Sequence, residues 1–93
     1  MNMLETIMPD AEYEWLQEKL GNDLVLPLRQ SVRTQIRLAA ENDSTADWES
    51  GVIYGFLRGL SACKIAPLHR LLIFKDRMYG EELEIFEKER EAV

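Results

Sequence analysis

Three glycines recur at every fourth position, Gly51, Gly55 and Gly59, inside a segment that otherwise reads as an apolar helix over about 46–63. A glycine in a helix interior costs about 0.5–1 kcal/mol relative to alanine. Three on one stripe therefore mark a surface where a second backbone comes close, within the chain or across a two-fold axis, or where a ligand or partner backbone lies. Trp48, Val52, Phe56 and Leu60 form an apolar stripe beside the glycines, and Ile53 and Leu57 form another. A helix apolar around most of its circumference is expected at the centre of a bundle, with Trp48 in the core. Gly51, Gly55 and Gly59, together with Trp48 and Phe56, are thus the expected helix-packing or oligomer contact.

The rest of the chain supplies the neighbours. Tyr13, Leu16 and Leu20 recur at helical spacing after Pro9 and Asp10, with Gly21 and Asn22 as a stop. Leu24, Val25 and Leu26 precede Pro27 and read as a short extended stretch, because a residue before proline is pushed away from the helical region. A second helix then starts at Pro27 and carries the i, i+4 stripe Leu28, Val32, Ile36 and Ala40 as far as Glu41. Ser44 and Asp47 match a capping box for the third helix. After Pro67, Leu68, Leu71, Leu72, Met78 and Tyr79 predict a fourth helix, which Gly80 kinks or splits. Leu71, Met78 and Ile85 repeat at seven, as do Leu72, Tyr79 and Phe86, too briefly for a coiled coil. The expectation is an all-α fold, a small bundle of four to five helices around the central Gly-striped helix. It forms a single domain over 1–93 with a charged tail, 87–93, that frays.

Composition narrows the functional classes. With 46% hydrophobic and 30% charged residues the chain reads as globular, and no apolar run reaches membrane-spanning or signal-peptide length. Cys63 is the single cysteine, which excludes an intrachain disulfide and fits a cytoplasmic protein. The net charge of −6 opposes sequence-independent nucleic-acid binding. Its distribution alternates: acidic over 1–23, basic over 24–40, acidic over 41–63, basic over 64–80 and acidic again over 81–93.

Within the basic stretch, Arg29, Arg33 and Arg37 share one helical face, with no acid between Asp23 and Glu41. Neighbouring like charges repel, so the face pairs with the acidic first helix or C-terminal tail, is solvated beside the apolar stripe, or meets a phosphate, nucleic acid or partner. Trp15 lies off the Tyr13–Leu16–Leu20 pattern and is a candidate interface anchor. Cys63 and His69 lie near each other in sequence, but no third orienting group or oxyanion hole is evident. Glu14 and Glu18, and Glu81, Glu84 and Glu87, have helical spacing. Di-iron bundles use Glu-x-x-His pairs, which are lacking, and helical nucleotide pyrophosphatases need an E-x-x-D downstream of the E-x-x-E at Glu81 and Glu84. A solvated acidic face accounts for these residues.

No catalytic residue, metal ligand or cofactor site is therefore expected. The chain reads as a non-enzymatic interaction or regulatory protein, self-associating as a homodimer and binding a protein partner through helical faces. Two alternatives stand: a nucleic-acid-associated regulator or DNA-mimic, phage-type inhibitor, and a small dimeric helical enzyme acting on an anionic metabolite.

Overall fold

Gly21 is the first point at which backbone chemistry dictates the fold. With φ of 76° it occupies a region that L-residues rarely adopt. Its amide donates to the Gln17 carbonyl, while its own carbonyl accepts from Leu24 and Val25. One residue thus closes one helix and opens the next. In the computed structural model, which describes residues 7–92, the elements are α1 (Asp10–Leu20), α2 (Asn22–Ala40), α3 (Thr45–Ala62) and α4 (Leu68–Glu91). The described residues form an all-helical bundle.

Helix α2 starts earlier than its proline suggests. Leu24, Val25 and Leu26 are helical, not extended, and Pro27 sits inside the helix. Pro27 forgoes one backbone bond, and an interior proline costs about 3 kcal/mol. Burial of Val25 and Leu28 on either side offsets that cost. At the start of α3 the Ser44–Asp47 capping box does not form, because Ser44 has helical dihedrals. Asp43 takes the role instead: its carboxylate accepts from the Thr45 amide at 2.9 Å and the Thr45 hydroxyl at 2.7 Å. These two bonds hold the Asp43 carboxyl below its ordinary range.

Helix α4 passes through Gly80 without a break, and the charged stretch expected to fray is helical through Glu91. At 24 residues and about 1.5 Å per residue it sets the long dimension of the molecule, 40 Å.

The core consists of Tyr13, Leu16 and Leu20 from α1, Val25, Leu28, Val32 and Ile36 from α2, Ile53, Leu57 and Leu60 from α3, and Leu71, Phe74 and Met78 from α4, with Met8 at its edge. Helix α2 is the central element, packing against α1, α3 and α4. This corrects the expectation for the Gly-striped helix. Helix α3 lies on one flank and buries a single face, Ile53–Leu57–Leu60, against α2 and α4. Trp48 is not core; it is 69% exposed.

The alternating charge reappears as docking. Acidic α1 meets the basic first half of α4, where Arg70 holds Glu12 at 2.7 Å through Nε and Arg77 pairs with Asp10. Basic α2 meets the acidic second half of α4.

Candidate functional site

The most organised polar cluster lies where α2 crosses α4. Leu71, Phe74 and Met78 form the buried stripe of α4, and the next position on that stripe is Glu82. The helical period therefore drives a carboxylate into the core, where it is 2% exposed. An unpaired charge there would be very unfavourable. Arg29 Nη1 donates to Glu82 Oε1 at 2.7 Å and Arg33 Nε to Oε2 at 2.6 Å. Burial alone would raise the Glu82 carboxyl, but the hydrogen bonds from Arg33 and Arg29 prevail and hold it below its usual range. Burial likewise pulls the Arg29 guanidinium down, and its bond to Glu82 more than restores it.

Tyr13 of α1 approaches the same cluster. Its ring stacks at 5.0 Å on Phe74, and the Arg77 guanidinium covers it at 4.3 Å. Its hydroxyl is buried with no hydrogen-bond partner among the described residues. Burial, reinforced by the nearby Glu81 carboxylate, pushes the phenol up to about 12. With the Glu81 carboxylate and the Arg29 guanidinium both close to the hydroxyl, Tyr13→Phe is expected to change stability by no more than about 1 kcal/mol in urea unfolding at neutral pH. A phenol whose folded value exceeds its unfolded value of about 10 contributes stability below that pH. This contribution is lost as pH rises from about 10 toward 12. The phenylalanine variant should lack that component of the alkaline loss.

Arg37, one turn beyond Arg33, has no ion-pair partner among the described residues. With Gln30, Arg33 and Thr34 it forms one wall of an open groove of about 400 Å³, whose other wall is Ile85, Phe86 and Glu89 of α4. The structure thus divides the arginine face: Arg29 and Arg33 are tied to the C-terminal acidic stretch, and Arg37 faces the groove. The sequence signal for Glu82 is its place on the Leu71–Phe74–Met78 stripe, opposite a helix that carries arginines and no acid.

A second surface is the outer side of α3. Gly51, Gly55 and Gly59 are all exposed, and a Cβ added at any of them would meet nothing within 4 Å among the described residues. Among the described residues no helix of the chain approaches this stripe closely, which was one of the contacts expected for it. Exposed Trp48, Val52 and Tyr54 surround the glycines, and half-buried Phe56 lines a shallow apolar cleft with Pro27, Leu28, Ser31, Val52 and Ile53.

Trp15 is 53% exposed, with the Lys19 ammonium 4.5 Å from its ring centroid. It borders a depression formed with Ser61, Lys64, Ile65, Ala66 and Pro67 of the α3–α4 link. Lys64 has φ of 61°, where glycine is the usual residue. Cys63 and His69 are both exposed, and no hydrogen bond joins them. Among the described residues no cluster of three or more His, Cys, Asp or Glu is arranged to hold a metal ion, and no helix is long and apolar enough to cross a membrane. Comparison with protein-family models, with curated proteins and with solved structures gives no match to this chain.

Proposed function

We propose that this chain is a non-enzymatic interaction protein that self-associates through the outer face of α3. The observation that carries the reading is the coincidence, on one exposed helix face, of three glycines facing open space with Trp48, Val52 and Tyr54. Exposed glycines weaken a helix without serving its own fold, so their benefit lies with a backbone outside the chain. Single exposed apolar residues are ordinary, but a contiguous patch marks a contact site.

Charge favours a second copy as the occupant. On the outer face Asp47 and Trp48 stand at the N-terminal end of the glycine stripe, and Arg58 stands toward its C-terminal end. Two α3 helices crossing antiparallel about Gly51 and Gly55 would bring Asp47 and Trp48 of each copy beside Arg58 of the other. Such an arrangement is self-complementary, as a two-fold contact requires. It joins a carboxylate–guanidinium pair to a cation–π contact. The cleft beside Val52 and Phe56 would receive part of the opposing helix and enlarge the contact beyond α3.

A nucleic-acid role finds less support, because Glu82 already engages two of the three arginines. An acidic, DNA-mimicking surface draws only on the overall charge.

The test is light scattering on a size-exclusion column over a range of concentrations, for the native chain and Gly55→Leu. The leucine faces open solvent in the isolated fold and has the better helix propensity, so the variant should fold. A native dimer with a monomeric Gly55→Leu variant is the expected result. A native chain that stays monomeric to near-millimolar concentration, or a dimer indifferent to the substitution, overturns the proposal.

A further inference from the structure

The groove between the second halves of α2 and α4 lies apart from the outer face of α3, and its chemistry is different. Glu82 receives Arg33 through Nε at 2.6 Å and more weakly through Nη2 at 3.4 Å, holding that guanidinium at the groove wall with Nη1 unengaged among the described residues. Arg37 follows one turn later on the same wall without an ion-pair partner among the described residues. Facing them are Ile85, exposed, and Phe86, half-buried, with Ile36 at the floor. Two guanidinium groups at one side and an apolar wall at the other form an amphipathic site. Its volume of about 400 Å³ falls in the range of small-molecule clefts, roughly 300–1,000 Å³.

We infer that this groove binds a small carboxylate with a compact apolar body. The carboxylate would bridge Arg33 Nη1 and Arg37, using the two acceptor oxygens that suit guanidinium donors. The apolar body would lie on Ile85 and Phe86. The buried Glu82 acts as a positioning residue: by holding Arg33 it keeps one donor in place before a ligand arrives, which reduces the ordering cost of binding. Glu89 stands on the opposite wall. It disfavours a second negative charge on the ligand, so a monocarboxylate is preferred to a dianion.

Binding is read by amide chemical-shift changes on adding phenylpropionate or hexanoate, with phenylpropionamide and hexanamide as neutral controls. The carboxylates should shift resonances of 30–37 and 82–89, and each amide should bind at least about tenfold more weakly, the effect of losing a charge-assisted pair. Arg37 makes no ion pair in the fold, so Arg37→Gln should keep the native melting temperature while weakening carboxylate binding about tenfold. Glu89→Gln should strengthen it roughly two- to threefold by removing a like charge. Equal affinity for acid and amide, shifts unaffected by Arg37→Gln, or no localised shifts at millimolar ligand would overturn the inference. Because Arg37 lies away from α3, none of these results depends on the oligomeric state.

Discussion

Glu82→Ala is expected to cost about 3 kcal/mol of folding stability, a shift in melting temperature on the order of 10 °C or more for a domain of this size. The substitution leaves Arg29, 19% exposed, facing a space from which its counter-ion has gone. Breaking a buried ion pair from one side costs about 3–5 kcal/mol, because the remaining charge is stranded. The lower end applies because Arg33, 55% exposed, can turn to water. Glu82→Gln, which keeps an acceptor of the same shape, should lose about half as much. Removing both charges together, with Glu82→Leu and Arg29→Met, should recover most of the loss, since an apolar pair of similar volume has no charge to desolvate. Urea titrations of the single and double variants measure these differences directly. A single-variant loss below about 1 kcal/mol would mean that the cluster is solvated.

The same carboxylate carries an acid dependence whose sign follows from its lowered value in the folded state. A depressed carboxyl contributes stability that is present above its unfolded value, about 4.3, and is lost as pH falls through the folded value. Native stability should therefore decline from about pH 4.5 downward. Glu82→Gln, with nothing to protonate there, should show a shallower decline. Asp43, also lowered, adds to the loss in the same window and remains in the variant.

The second large effect has the opposite sign. Replacing Gly51, Gly55 and Gly59 together by alanine should raise monomer stability by about 2 kcal/mol, since each change removes about 0.5–1 kcal/mol of helix penalty. All three positions are helical and open, so no contact among the described residues opposes the added methyl groups. Thermal unfolding at low micromolar concentration should show a midpoint higher by on the order of 10 °C. Self-association should weaken in the same variant, because three methyl groups hold the facing backbone away. Higher monomer stability together with weaker association would identify these glycines as an interface feature retained at the expense of the fold. A lower midpoint would mean that the outer face of α3 is covered within the chain.

These results turn on how far local pattern reaches. The stripes Tyr13–Leu16–Leu20 and Leu28–Val32–Ile36–Ala40 are narrow, so periodicity identifies their buried sides, and the structure buries all of them except Ala40, which is exposed at the end of α2. Helix α3 is apolar on several sides, and periodicity gives such a helix no preferred direction. Only two neighbours, α2 and α4, were available to cover it strongly, and they selected Ile53–Leu57–Leu60, leaving Trp48 and the glycines outside. In the arginine face, repulsion within the row announces a need for acids, and the expected partners were the first helix and the tail 87–93, whereas the acid that answers, Glu82, lies before that tail. That Glu82 would meet Arg29 and Arg33, while Arg37 would face a groove, depends on where two helices cross.

By itself the sequence determined the all-helical class, the order of the helices, the end of the first helix at Gly21 and the alternation of charge along the chain. All of these follow from interactions within a few residues along the chain or from the composition of whole segments. The tertiary structure alone decided that α2 is central, that α3 is peripheral, and that one glutamate of the C-terminal stretch lies buried between two arginines. Those outcomes depend on which surfaces a finite set of helices can cover simultaneously, a competition for burial that no single helix encodes.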